Sequence, residues 1–133
     1  MTGAVRSHRD LRVYQGAFEL AKNVFDLSKG FPSEERYALT DQFRRASRSV
    51  CANLGEAWRK RKYAAAFVAK LNDAEAEAGE CQVWAEFALS CGYIDQPTFN
   101  RFIDGYEHVL RQLTLMMENP RKWGPEPSKK AKR

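Results

Sequence analysis

No apolar run in this 133-residue sequence approaches the ~20 residues needed for a helix to cross a bilayer. The start, Met1-Thr2-Gly3-Ala4-Val5-Arg6, has no apolar stretch of the kind a secretory leader carries. A chain with no membrane segment, working in the cytoplasm, is therefore expected. Cysteine is scarce and odd in number, at three, which argues against a disulfide framework and for reduced, mostly buried thiols. Histidine is limited to His8 and His108. No His-Glu-x-x-His pair, Cys-x-x-Cys, phosphate-binding glycine loop or Gly-x-Ser-x-Gly elbow occurs. Cys81 and Cys91 would sit on one helix, turned about 80° apart at ~100° per residue. No metal ligand, cofactor or catalytic residue is expected, because general acid–base work needs converging titratable groups that this pattern does not supply. The chain is read as a non-enzyme.

Proline is absent between Pro32 and Pro97, so long helices are permitted there. From Asp10, read as an N-cap, apolar residues recur at Leu11, Tyr14, Phe18, Ala21 and Phe25 until Gly30-Phe31-Pro32 ends the first helix. Ser33, Glu34 and Glu35 supply a cap and negative charge for a second helix. Its seam is Leu39, Phe43, Ala46, Val50, Asn53 and Ala57, ending near Lys60. A third seam runs through Phe67, Leu71, Ala74, Ala78, Cys81, Ala85 and Ala88 to Gly92. Asp95 and Pro97 open a fourth helix, with Phe99, Phe102, Tyr106, Val109, Leu113 and Met116 on its seam. These features predict an all-α, antiparallel up-down-up-down four-helix bundle over residues 10–119. A flexible N-terminal segment, 1–9, precedes it, and a disordered basic C-terminal tail, 120–133, follows.

The net charge of +5 is unevenly spread. Residues 121–133 carry Arg121, Lys122, Lys129, Lys130, Lys132 and Arg133 against Glu126, which accounts for the whole +5. Between 36 and 62, eight cations face Asp41 and Glu56, a net +6; between 63 and 92, Lys70 faces Asp73, Glu75, Glu77, Glu80 and Glu86, a net −4. Arg44, Arg48, Arg59 and Lys62 fall within ~60° of one another on the helical wheel, a stripe about 27 Å long opposite the seam. Such a line suits phosphate-backbone contact. Arg44, Arg45, Arg48, Arg59, Lys60 and Lys62 are the candidate nucleic-acid contacts, with the tail as a flexible arm. An ordinary solvated face, or pairing with the acids of the third helix, is the competing account.

The third helix is apolar on a second side as well, through Ala65, Ala69, Ala76, Val83, Trp84 and Phe87, with Asp73 and Glu80 nearby. A helix apolar on two faces is covered twice, most simply by another subunit. Ala69, Asp73, Ala76, Glu80, Val83, Trp84 and Phe87 are thus the candidate interface of a homo-oligomer, the acids awaiting a neighbour's cations.

Two blocks, Asp10-Leu11-Arg12-Val13-Tyr14-Gln15-Gly16-Ala17-Phe18-Glu19-Leu20-Ala21 and Phe31-Pro32-Ser33-Glu34-Glu35-Arg36-Tyr37-Ala38-Leu39-Thr40-Asp41-Gln42-Phe43-Arg44-Arg45-Ala46, resemble the bacterial four-helix-bundle family of 23S rRNA-intervening-sequence proteins. Ser49-Val50-Cys51-Ala52-Asn53-Leu54-Gly55-Glu56-Ala57 is similar to its Ser-Ile-Pro-x-Asn-Ile-Ala-Glu-Gly motif, and Gly92-Tyr93-Ile94 to its turn between the last two helices. The resemblance spans roughly residues 8–118. Cys51 stands in place of the usual proline, so the second helix should be less kinked. Gly55 and Ala57 exchange the motif's small residues, and Trp58 replaces a smaller aromatic. The resemblance implies an antiparallel bundle assembled as a pentameric ring. A distant relation to the accessory protein of diversity-generating retroelements suggests RNA or DNA, or a reverse transcriptase, as partner. Asn53 and Glu56 are the motif positions; a half-buried Asn53 amide needs a partner, and fixing register within the bundle is its expected use, ahead of ligand binding. Two functions stand: a non-enzymatic homo-oligomeric bundle binding RNA or DNA through the second helix and the tail, or a protein-interaction scaffold whose opposed charges serve subunit assembly.

Overall fold

The computed structural model describes residues 4–125. Four helices dominate: α1 (Arg12–Ser28), α2 (Asp41–Arg59), α3 (Ala64–Ser90) and α4 (Gln96–Glu118). Cross-helix contacts fix their directions. Arg45 reaches Glu80, and Lys70 reaches Glu56, so α2 and α3 run antiparallel. Gln82 on α3 meets Ile103 and Glu107 on α4, Leu20 on α1 lies against Gly105 on α4, and Arg44 on α2 bonds Ser28 at the end of α1. The bundle is up-down-up-down.

The α3 seam buries Phe67, Leu71, Ala74, Ala78, Cys81, Ala85 and Ala88, all at 0% exposure. Four alanines and a cysteine on one stripe let α2 and α4 approach closely, while Phe43 of α2 and Phe102 of α4 meet in the core with tilted rings, centroids 5.6 Å apart. Each fully buried Phe or Leu contributes about 1.5–3 kcal/mol of transfer free energy. The α4 seam is likewise buried through Phe102, Tyr106, Val109, Leu113 and Met116. Asp95 caps this helix, its carboxylate accepting from the Thr98 N–H at 2.9 Å; hydrogen bonding from the Thr98 side chain and then from that N–H holds its pKa below the usual carboxylate range. Gly92, at φ +76°, takes the left-handed position that ends α3. Its N–H donates to the Leu89 carbonyl and the Tyr93 N–H to the Ala88 carbonyl, a Schellman termination that only glycine adopts without strain.

Several local expectations are corrected. Asp10 does not cap α1. Its carboxylate turns back to accept from the Arg6 and Ser7 N–H groups at 2.9 and 3.2 Å, and with the Ser7 hydroxyl it closes a capping box on a 3₁₀ turn, His8–Asp10. The α1 stripe is also rotated from the one expected. Val13, Ala17, Ala21, Val24 and Ser28 face the core, whereas Phe18 is 48% exposed and Tyr14 and Phe25 are half-buried. Two interleaved apolar stripes share this helix, and the bulkier one lies outside because α2 and α4 leave room only for small residues. Ser33 makes no side-chain cap; it begins a 3₁₀ turn, Ser33–Glu35, that runs through a π turn, Arg36–Thr40, into α2. The folded body also passes the expected boundary at 120: Pro120–Trp123 forms a 3₁₀ turn, and Trp123 packs against the core. The rest of the tail, 126–133, and residues 1–3 lie outside the described residues. With Cys51 in place of proline, α2 continues unbroken through that position.

Candidate nucleic-acid interface

The six candidate contacts, four of them expected to form one stripe, divide into two groups. In the first half of α2, Arg44 and Arg48 fold over the Phe25 ring of α1, at 4.7 and 5.4 Å from its centroid, and the Arg44 Nε donates to Ser28 Oγ at 2.7 Å. Arg45 leans the other way, onto α3, 3.1 Å from Glu80 and 3.6 Å from Glu77. The pairing with third-helix acids that competed with the nucleic-acid account therefore holds for Arg45. These cations hold helices together, and a continuous free stripe is not formed.

At the far end of α2 the picture reverses. Arg59, Lys60 and Lys62 are exposed and make no ion pair among the described residues. Arg61 folds back instead, its guanidinium 4.0 Å from the Trp58 ring and bonded to the Trp58 carbonyl, which completes the helix end. Tyr63 follows, 64% exposed. Antiparallel topology brings two more segments to this pole. His8 lies beside Gly55 of α2, and the chain after α4 returns so that a Cβ on Gly124 would sit 3.5 Å from the Arg61 carbonyl. Arg6, Arg9, Arg12, Arg121 and Lys122, all exposed, thus join Arg59, Lys60 and Lys62. Lys129, Lys130, Lys132 and Arg133 lie outside the described residues, but the chain leaves the described body at this same end. Sequence reading passed over Arg6, Arg9 and Arg12 because it weighed cations along one helix. The missing signal is topological: in an up-down bundle the start of helix 1 and the ends of helices 2 and 4 share a pole.

The second face of α3 stands open. Ala69 and Ala76 are exposed, Val83 is 44% and Phe87 53% exposed, and half-buried Trp84 stacks on Phe87 at 5.9 Å. The acids on this face do not wait for a neighbour, which corrects that expectation. Asp73 meets Lys70 at 3.8 Å. Glu80 accepts from Arg45 and from the Trp84 indole N–H at 3.0 Å. Next to it, Glu77 is pushed above the usual carboxylate range by burial and by the Glu80 charge, and one of its oxygens is buried without a hydrogen-bond partner.

Asn53 donates to the Ser49 carbonyl of its own helix at 2.9 Å, which supplies its half-buried amide with a partner. Glu56 is the motif residue that does cross, bonding Lys70 of α3 at 3.3 Å. The cysteines also differ from expectation, since only Cys81 is fully buried, Cys51 is half-buried and Cys91 is exposed. Burial pushes the Cys51 and Cys81 thiols up to about 11 and about 12, far from the thiolate needed for reactivity at neutral pH. Among the described residues no cluster of three or more His, Cys, Asp or Glu side chains is placed to hold a metal, and no helix is long and apolar enough to cross a membrane.

The class of molecule is an antiparallel four-helix bundle with a cationic pole and an open apolar helix face. The sequence model for the 23S rRNA-intervening sequence protein matches residues 9–115, and the chain belongs to that family. A crystal structure of a protein of unknown function from the S23 ribosomal protein family of Bacteroides thetaiotaomicron is similar, with a TM-score of 0.72 at 25% identity over 80% of this chain and 96% of that one. No curated protein matches the chain.

Proposed function

We propose that the chain is a non-catalytic, homo-oligomeric bundle that binds the phosphate backbone of RNA or DNA through its cationic pole. The observation that carries this reading is the convergence of Arg59, Lys60 and Lys62 with cations from the N-terminal segment and the turn after α4, all exposed and free of ion pairs among the described residues. Phosphate binding needs several unengaged cations on one surface and no catalytic group. Oligomer formation, as a pentameric ring by family resemblance, is supported by the uncovered Val83, Trp84 and Phe87 on α3. The same face supports the second reading, a protein-interaction scaffold without a nucleic-acid role.

Titrating RNA and duplex DNA across a salt series tests the leading reading. Contact with about six phosphates gives a log–log slope near −5 on duplex DNA; undetectable binding of both at low salt would leave only the scaffold. Light scattering at micromolar concentration tests assembly, with a mass above that of one chain expected. Phe87→Glu should return that mass to the monomer. Phe87 suits this test better than Trp84, whose replacement by Glu would also set a carboxylate against Glu80 within the chain.

A further inference from the structure

Two apolar surfaces on the outside of the bundle are uncovered, and they differ in shape and in charge. The first is the outer face of α3, a ridge on which Val83 and Phe87 are exposed and Trp84 packs against Phe87. Carboxylates border it on both sides: Asp73 and Glu80 toward α2, Glu75 and Glu86 toward α4, where Gln82 reaches Glu107. Glu75 and Glu86 pair with no cation among the described residues. The second surface is a groove of about 450 Å³ between α1 and α2. Tyr14, Phe18 and Phe25 wall it, with the small side chains of Ala21 and Cys51 between them. Its charges leave an excess of cations. Lys22 meets Glu19 at 3.9 Å and Lys29 meets Asp26 at 3.7 Å, so these four cancel. Arg44 and Arg48 lie over Phe25 and meet no carboxylate among the described residues; Asp41 shares the outer surface of α2 but pairs with neither. Arg48 is exposed and makes no hydrogen bond among the described residues.

We infer that the α3 ridge of one copy of this chain seats in the α1–α2 groove of a second copy, head to tail, with Phe87 among Tyr14, Phe18 and Phe25 and the α3 acids facing Arg44 and Arg48. The inference rests on the homo-oligomer reading above and names the two surfaces that meet. Ridge against ridge fails on charge. The one cation of α3 is Lys70, already held by Glu56 and Asp73, so two α3 faces would set carboxylates against carboxylates around their apolar contact. Groove against groove would oppose arginines and leave two hollows facing each other. Ridge in groove fills the hollow, gives the contact an aromatic centre and places opposite charges on its rim. Since the two surfaces are unlike, each copy in such a contact still offers one of each kind to further copies, and the series ends when a ring closes.

The test measures mass by light scattering for the full chain and for two variants, Phe87→Glu on the ridge and Phe18→Glu in the groove, alone and mixed. Both side chains are about half exposed, at 53% and 48%, so each variant should keep its helical circular dichroism; Arg48→Glu is a second groove variant should Phe18→Glu fail to fold. The wild-type mass should exceed that of one chain, and each variant alone should fall to one chain. Mixed in equal amounts, the two variants should form a pair of twice one chain's mass and stop there, because the groove of the Phe87→Glu chain and the ridge of the Phe18→Glu chain are the single intact match. A Phe18→Glu or Arg48→Glu chain that keeps the wild-type mass would overturn the pairing of surfaces while leaving assembly through α3 standing. Folded variants that stay at one chain's mass when mixed at their highest soluble concentration would also overturn it. A wild-type chain that scatters as a monomer would overturn both the pairing and the assembly reading, leaving both surfaces to a different protein.

Discussion

Arg44 and Arg59 carry the same guanidinium on the same helix, yet they do different work. Arg44 lies over Phe25 and bonds Ser28, and its neighbour Arg45 ties α2 to Glu77 and Glu80. Arg59, beside Lys60 and Lys62, points to solvent at the helix end with no acid or ring holding it. What separates the two groups is what faces them. The first half of α2 is flanked by an aromatic ridge on α1 and carboxylates on α3, whereas no carboxylate among the described residues pairs with Arg59, Lys60 or Lys62 at its end. A cation held by its own fold contributes stability; one left free is available to a partner.

The largest consequence concerns binding. Reversing Arg59, Lys60 and Lys62 together to Glu should lower duplex DNA affinity at least about a hundredfold at low salt and flatten the log–log salt slope by nearly 3. Thermal stability should stay within about 1 kcal/mol, because these exposed side chains make no ion pair that the change would break. An unchanged slope would mean that phosphates are bound elsewhere or not at all.

The matching change in the other group should act on stability. Arg44→Ala removes a charge-assisted hydrogen bond and a cation–π contact, together about 1–2 kcal/mol. Ser28 still donates to the Phe25 carbonyl, so no buried donor is orphaned. Denaturant unfolding should register this loss while the salt slope of binding moves by less than 1. If Arg44→Ala weakened binding as much as the polar triple variant, the division between the two groups would collapse.

Much of this was legible in the sequence, for reasons that also mark the limit. The α3 seam could be read because its residues are small or apolar at strict helical spacing with charges between them, and its second face because Val83, Trp84 and Phe87 exceed what one core needs. The α1 stripe was misread because Val13, Ala17, Ala21 and Val24 compete with Tyr14, Phe18 and Phe25 at equally good spacing. Hydrophobicity favours the larger set, but helix separation admits the smaller. The cationic pole was only half visible: Arg59, Lys60 and Lys62 stood out, whereas Arg6, Arg9, Arg12 and Lys122 join them only through topology. The direction in which Arg45 leans is a rotamer choice, decided by Glu80 and Glu77 across the interface, and no local pattern encodes it.

Those two acids provide the smallest and most specific test of the held group. Arg45 sits between two carboxylates, and burial together with the Glu80 charge pushes Glu77 above its ordinary range. A carboxyl whose pKa is raised on folding favours the folded state while it is protonated. Its contribution is complete below the ordinary glutamate range and is lost as pH climbs through the raised value. Near neutrality Glu77 therefore carries a penalty, increased by its unpartnered oxygen. Glu77→Gln keeps the shape, cannot ionise and leaves Arg45 to Glu80 alone. It should raise the melting temperature at pH 7 by an amount worth less than about 1 kcal/mol, and the gain should shrink or reverse as the pH falls to 4, because the wild-type carboxyl takes up its proton more readily than an ordinary glutamate. A gain that is the same at both pH values would assign the effect to packing, and a loss at pH 7 would show that the ionised Glu77 is needed to hold Arg45 on α3.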